Sequence, residues 1–166
     1  MALELNGTTG VSLVQDGVIT DANLPAGSVL QVVSTSYSTA FTTSSGSAAD
    51  TGLSVTITPT SATSKILILL SQQMYIYNGG GDSGVIINIL RNGTNLIGVN
   101  GHSGYIAGYN SSNPEIIWNL PITFLDSPAT TSALTYKTQA AATVGATVIT
   151  CWNSNASTIT VMEIAA

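Results

Sequence analysis

Charge is the scarcest property of this 166-residue chain, because Asp, Glu, Lys and Arg together make up only 7% of it. Soluble globular proteins typically contain roughly 25% of these residues. Positive charge is limited to Lys65, Arg91 and Lys137, which are far apart in the sequence, and the net charge is −5. Nucleic-acid binding requires clustered Lys and Arg, so the sequence predicts no nucleic-acid partner.

Cysteine and long apolar runs are scarce as well. Cys151 is the single cysteine of the sequence, which excludes an intrachain disulfide and a cysteine metal site within one chain. The sequence contains no apolar run of about 18 residues or more, so no membrane insertion is expected. No basic segment followed by an apolar segment opens the chain, and we expect synthesis and assembly in a cytoplasm.

Residues suited to catalysis are few and lack the required context. His102 is the sole histidine, and the sequence supplies no orienting partner for it as a general base. No Gly-x-Ser-x-Gly motif follows a strand, and Asn78–Gly81 lacks the lysine of a phosphate-binding loop. The sequence therefore predicts no enzyme, no catalytic residue and no cofactor.

The carboxylates are spread along the chain. Asp50, Asp82, Glu115 and Asp126 fall in predicted turns, where we expect solvated acids that maintain solubility. Their spacing indicates neither a glycosidase pair nor a calcium site, so no metal site is predicted.

The pattern of residues 53–70 is typical of a β-sandwich. Residues 53–58 alternate between apolar and hydroxyl side chains, which predicts a strand with one buried face. Residues 66–70 have no polar face and predict a strand that is covered on both sides, by a second sheet or by another subunit. The residues expected to pack in the core or between subunits are Ile66, Ile68, Leu70, Ile159 and Val161.

Short strands with regular turns continue to the end of the sequence, and no helical periodicity interrupts them. The sequence predicts strands at 29–33, 53–58, 65–74, 85–90, 96–99, 116–120, 122–125, 133–139, 147–152 and 158–164. Asn92-Gly93 favours a tight hairpin because it tolerates positive φ. The predicted fold class is an all-β jelly-roll β-sandwich over residues 25–166, preceded by an extended arm over residues 1–24.

Glu163 has the same parity as the apolar residues of the last predicted strand. This predicts a face that is partly wet, or a strand that bends near its end.

Several segments carry a resemblance to a known group of proteins. These are residues 1–10, 23–33, 53–70, 87–96, 121–139 and 159–164. They resemble small tail-fibre and minor structural proteins of bacteriophages of aquatic bacteria, whose C-terminal part is similar to the trimeric jelly roll of C1q and tumour necrosis factor. The resemblance implies a homotrimer displayed on a virion that is assembled in a bacterial cytoplasm. No repeat shaft lies between arm and knob, which leaves a capsid decoration protein as the alternative to a fibre or tail knob.

Two groups of residues are candidates for contacts with other molecules. The arm is expected to attach the knob to other virion proteins of the capsid or tail, through Leu3, Leu5, Val11 and Leu13. The loop over 101–114 combines flat rings with amide and hydroxyl groups, as a surface that binds host glycans does. Its candidate contact residues are His102, Tyr105, Tyr109, Asn110 and Ser111.

Overall fold

The computed structural model describes residues 24–78, 81–97, 106–110, 115–143 and 145–166. Within these ranges the regular secondary structure is almost entirely β-strand, which confirms the predicted fold class. The strands are β1 Val29–Tyr37, β2 Phe41–Thr43, β3 Ala49–Ile57, β4 Lys65–Asn78, β5 Gly81–Arg91, β6 Thr94–Ile97, β7 Ile106–Asn110, β8 Glu115–Asp126, β9 Leu134–Ala142, β10 Ala146–Thr150 and β11 Ser157–Ile164.

All strand pairs are antiparallel, and they form two sheets. In the first sheet the long strand β4 pairs with β8 on one side. On its other side β4 pairs with β11 and β10, beyond which lie β1 and β2. In the second sheet β9 lies between β3 and β5, and β5 also pairs with β6 and β7.

Three pairs of consecutive strands can each be counted as one interrupted strand. The strands β6 and β7 both pair with β5, and β10 and β11 both pair with β4. The strands β1 and β2 pair with β11 and β10, the two parts of the last interrupted strand. Counted this way the chain has eight strands among the described residues. The first sheet then has the order 1-8-3-6 and the second 2-7-4-5. This is the strand order of a jelly roll, in which eight strands form two packed sheets.

The core lies between the inner faces of the two sheets. Every second residue of β3, β4, β9 and β11 is buried, as the alternating pattern of a half-buried strand requires. Ile66, Ile68 and Leu70 of β4 and Ile159 and Val161 of β11 all belong to this core.

One turn and one strand irregularity require the backbone freedom of glycine. Asn92 and Gly93 have φ angles of 47° and 89° and join β5 to β6, which pair as an antiparallel hairpin, as the sequence predicts. Gly52 has φ 93° at the irregularity of β3, and a side chain there would meet the ring of Tyr37 at 2.5 Å. Only glycine fits this position without displacing that ring.

Several predicted elements need correction. Pro121 does not divide the segment 115–126, because β8 is an edge strand of the first sheet and tolerates a residue without an N–H group. Residues 106–110 form β7, although the sequence predicts a loop over 101–114. The strand β2 is also missing from the prediction. Trp152 lies in a single 3₁₀ turn after β10 and not at the end of a strand.

Candidate functional site

The outer face of the first sheet carries a row of apolar side chains. Val32 of β1 pairs with Met162 of β11, Met162 with Leu67 of β4, and Leu67 with Leu125 of β8. Val32 is 54% exposed and Leu125 is 49% exposed. Leu69, two residues along β4, is also exposed. We call these five residues the apolar row. Leu69 faces outward, so the second sheet covers only one face of 66–70, and cover of the other face by another subunit stays a prediction.

The outer face of the second sheet is polar. Thr56 and Thr135 share a hydrogen bond of 2.9 Å across β3 and β9. Asp50 accepts hydrogen bonds from Lys137 Nζ at 2.6 Å and from Gln139 Nε2 at 2.7 Å. The bond from Lys137 is the main cause that lowers the pKa of Asp50 below its ordinary value. Asp50 lies in β3 and not in a turn, but it remains exposed as predicted.

A surface pocket of about 350 Å³ lies on the first sheet, away from the apolar row. Its walls come from the middle of β8 and from the connection between β10 and β11, and its floor comes from β4. The lining residues are Gln73, Ile117, Trp118, Asn119, Asn155 and Ala156. None of these six residues carries a charge. We call this cavity the amide pocket.

Gln73 is hydrogen-bonded to the connection between β10 and β11, which forms one side of the amide pocket. Its Oε1 accepts a hydrogen bond from the backbone N–H of Trp152 at 2.7 Å, and its main-chain oxygen accepts one from Cys151 at 3.2 Å. Its Nε2 group is buried and has no hydrogen-bond partner among the described residues. Because a backbone N–H can only donate, Oε1 is fixed as its acceptor and Nε2 is left as the free end of the amide.

The connection between β10 and β11 has an unusual backbone. Cys151, Asn153 and Ser154 have φ angles of 53°, 55° and 60°, in the left-handed region that residues with side chains rarely adopt. The turn is held from both sides, because the ring of Trp152 stacks on Tyr75 at 4.8 Å and Asn155 Nδ2 donates to the Trp152 main-chain oxygen at 3.1 Å. The wall that carries Asn155 is therefore fixed in place.

Glu163 corrects the expectation of a partly wet or bent final strand. It is fully buried in β11 and accepts hydrogen bonds from Gln31 Nε2 at 2.6 Å and from the N–H and hydroxyl of Thr60 at 2.8 and 2.9 Å. Burial alone would raise the pKa of Glu163, but the hydrogen bonds from Gln31 and Thr60 outweigh it and the pKa is lowered. The carboxylate thereby ties the segment before β4 to the first sheet.

Asp126 corrects the expectation of a solvated acid. It ends β8, is 6% exposed, and accepts hydrogen bonds from Arg91 Nη1 at 2.7 Å and from the hydroxyl of Tyr136 at 2.8 Å. Burial and the neighbouring carboxylate raise the pKa of Tyr136, so its hydroxyl stays protonated as the donor. Since Arg91 and Tyr136 belong to the second sheet, this cluster connects the two sheets.

The two groups of candidate contact residues lie mostly beyond the described ranges. Tyr109 and Asn110 form the end of β7 and pair with Asp82 and Gly81 of β5, so they belong to a strand. Asp82 is likewise in a strand and not in a turn. The other candidates fall outside the described residues: His102, Tyr105 and Ser111 of the loop, and Leu3, Leu5, Val11 and Leu13 of the arm.

Two features are absent from the residues that the structure describes. No group of three or more His, Cys, Asp or Glu side chains is placed there to hold a metal ion. No helix in these ranges is long and apolar enough to cross a membrane.

The residues of the amide pocket were not singled out in the sequence. Gln73, Asn119 and Asn155 come from three separate segments, and only the pairing of β4 with β8 and the turn after β10 bring them together. Trp118 lies in β8 and is 54% exposed, so it is not part of the core.

No protein-family model matches the chain, and no curated protein is detectably similar to it. Among solved structures it is similar to a chain of the T13 particle of infectious bursal disease virus, with 13% identity and a TM-score of 0.36. It is also similar to a chain of the Gx strain of that virus, with 12% identity and a TM-score of 0.37, and to its VP2 subviral particle, with 14% and 0.35.

These matches cover 82%, 83% and 82% of this chain but only 36%, 41% and 37% of the viral chains. The chain therefore spans well under half of their length. At TM-scores of 0.35 to 0.37 the likeness decides neither fold nor function, and the fold assignment rests on the strand order itself. None of the three is a tail fibre or a C1q-like domain, so that part of the resemblance stays a prediction.

Proposed function

We propose that this chain is a structural protein of a bacteriophage particle, a homotrimeric knob that is displayed on the virion and contacts the host surface. Its role is structural and adhesive, not enzymatic. The jelly-roll strand order and the resemblance of six sequence segments to phage fibre proteins support this proposal. The observation that carries it furthest is the apolar row, a stripe of five exposed or half-buried apolar side chains on the outer face of the first sheet of a protein that has little charge.

Self-association follows from the chemistry of the apolar row. Contiguous exposed apolar surface is typical of interaction sites, and its burial is favourable in water. Val32, Leu69 and Leu125 are each more than one third exposed, and no charge within the row opposes a second copy. Twofold dimers are the commonest oligomers in general, and the resemblance to trimeric jelly rolls favours threefold symmetry here.

Light scattering on the purified chain tests this step. The wild-type protein is expected to be a trimer at micromolar concentration. Leu69→Asp places a charge in the apolar row and should give a folded monomer. Thr56→Asp is the matched control, because it adds the same charge to the outer face of the second sheet and should leave the trimer intact. A wild-type monomer, or equal effects of the two variants, contradicts the proposal.

Attachment to the virion is assigned to the arm, residues 1–24. The chain enters β1 beside the end of β11, where Gly27 N donates to Ala165 O at 2.8 Å and Ala165 N donates to Ser28 O at 2.9 Å. The knob therefore begins at one end of the first sheet, beside the end of β11. Deletion of residues 1–24 should leave a soluble trimer that no longer joins particles. Normal incorporation of the truncated protein would place the attachment surface on the knob.

Capsid decoration is the second candidate, favoured by the lack of a repeat shaft between arm and knob in the sequence. Antibodies against the purified knob, used to label intact particles in electron micrographs, separate labelling of the tail from labelling of the head. Replacement of Tyr105 and Tyr109 by Ala should reduce adsorption to cells if the knob contacts the host. Unchanged adsorption, together with capsids that burst more readily, favours decoration.

A further inference from the structure

The outermost strand of the first sheet, β8, has a free edge. Among the described residues β8 pairs only with β4, in one unbroken register from Glu115 to Asp126. The other long edge strands, β1 and β3, each contain a register irregularity, a feature with which edge strands avoid further pairing. Residues 116–125 of β8 also carry no charge. The edge of β8 is therefore the least protected of the three against a further strand.

The main-chain groups of alternate residues of β8 point into this free edge. Gln73 of β4 donates its N–H to Ser157 Oγ at 3.0 Å and accepts from Cys151 N at 3.2 Å, both on the side of β10 and β11. Its partner Asn119 therefore forms a non-hydrogen-bonded pair with it and turns its own N–H and C=O away from β4. Pro121 has the same direction and adds only a carbonyl oxygen. The outward N–H groups belong to Glu115, Ile117, Asn119, Thr123 and Leu125.

Large apolar side chains are exposed on both faces of β8. Ile117 and Leu125 are exposed on the outer face of the sheet. Trp118, also exposed, lies on the opposite face, since its pair partner Met74 belongs to the core. A strand added beside β8 would satisfy the outward main-chain groups and cover apolar surface on both faces.

The arm contains a segment of matching chemistry. Residues 11–15, Val-Ser-Leu-Val-Gln, carry no charge. In an extended strand Val11 and Leu13 face one side and Val14 the other, so apolar side chains are available for both faces of β8. The other apolar segment of the arm, residues 2–6, contains a glutamate and fits the uncharged edge less well.

The arm is long enough to reach this edge. Gly27 donates to the main-chain oxygen of Ala165, so the described chain begins at the end of β11. The end of β8 lies at the same end of the sheet, because β4 pairs there with both strands through Lys65 and Ile66. A path from β1 to a position beyond β8 crosses β11, β4 and β8, a distance of about 19 Å. Residues 16–23 can span up to about 28 Å.

We propose that residues 11–15 of the arm pair with the free edge of β8 in their own chain. The added strand continues the first sheet, so the outer face that carries the apolar row stays open. This inference goes beyond the proposed function, because it places the segment on the knob and leaves residues 1–10 for attachment to the virion.

Amide hydrogen exchange of the isotope-labelled full chain, followed by nuclear magnetic resonance, tests this pairing. The segment is long enough to cover about two or three outward residues of β8. At least two of the amides of Ile117, Asn119, Thr123 and Leu125 should therefore exchange about 100-fold more slowly than unpaired amides. The alternate amides of β8, which bond to β4, report an intact sheet. The proposal is overturned if all four outward amides exchange freely.

A double proline variant identifies the occupant. One of two neighbouring N–H groups in a strand faces its partner, so Ser12→Pro with Leu13→Pro removes a pairing donor in either orientation. The core lies outside the arm, and the protected outward amides should exchange about tenfold faster or more. Leu3→Pro with Glu4→Pro is the matched control and should leave the exchange unchanged. Protection that survives the first variant means that another strand, such as one from a second copy, covers the edge, and it overturns the proposal. Equal loss in the control overturns it as well.

Discussion

The two sheets of the sandwich distribute charge and apolar surface in opposite ways. The first sheet exposes apolar side chains such as Leu69 and Leu125 on its outer face and keeps the carboxylates of Glu163 and Asp126 buried on its inner face. The second sheet carries an ion pair of Asp50 and Lys137 on its outer face. In a chain with so few charges, this placement leaves one outer face solvated and the other free for contact.

The difference is sharpest between two neighbouring residues of β4. Ile68 is fully buried and Leu69 is 36% exposed on the opposite face. Ile68→Asp should abolish folding, because an unpaired charge in the core costs several kcal/mol. Leu69→Asp should retain a cooperative thermal transition. Circular dichroism of the two variants measures both outcomes. If Leu69→Asp also fails to fold, the outer face of the first sheet is part of the fold and not a contact surface.

Removal of the buried charge at Asp126 should have the next largest effect. Asp126→Asn leaves Arg91 without its carboxylate partner and turns one acceptor of the cluster into a donor, at a cost of roughly 3 kcal/mol. Tyr136→Phe removes a single hydroxyl from the same carboxylate and should cost about 1 kcal/mol. Urea unfolding of both variants gives the comparison. Equal, small effects would show that the inner charges of the first sheet contribute no more than surface charges.

The sequence predicts the inner faces well and the outer faces poorly. Alternation over residues 53–58 determines which side chains of β3 are buried, since parity alone selects the face. The run 66–70 has apolar residues at both parities, so it cannot indicate that Leu69 lacks a cover within the chain. Asp126 was expected in solvent because its partners, Arg91 and Tyr136, are distant in sequence and meet it only after the two sheets pack.

The candidate site was beyond sequence reasoning for the same reason. Asn119 faces Gln73 across the pairing of β8 with β4, and Asn155 joins them through the turn after β10. The strand β7 escaped prediction because it lies among Gly, Ser and Asn residues that have low strand propensity. The hairpin at Asn92-Gly93 was predicted correctly, because the preference of these residues for positive φ is local and does not depend on a distant partner.

The pH dependence of stability distinguishes Glu163 from the surface acids. Its folded pKa lies below the ordinary value of 4.5, so its stabilisation is complete above that value and is lost as the pH falls through the lowered folded pKa. Glu163→Gln should cost roughly 1 to 3 kcal/mol at neutral pH, because a donor replaces an acceptor beside Gln31. The difference from wild type should shrink in acid. If the free energies of unfolding of the wild type and Glu163→Gln change with pH in parallel, Glu163 does not have this role.

The smallest effect is expected on the outer face of the second sheet. Asp50→Asn removes the charge that accepts from Lys137, but both side chains are substantially exposed, so the loss should stay below about 1 kcal/mol. High salt should reduce even this difference, because screening weakens exposed pairs. The oligomeric state should not change, since this face is assigned no contact. If Asp50→Asn instead dissociates the oligomer while Leu69→Asp does not, the roles of the two outer faces are reversed, and the polar face carries the assembly.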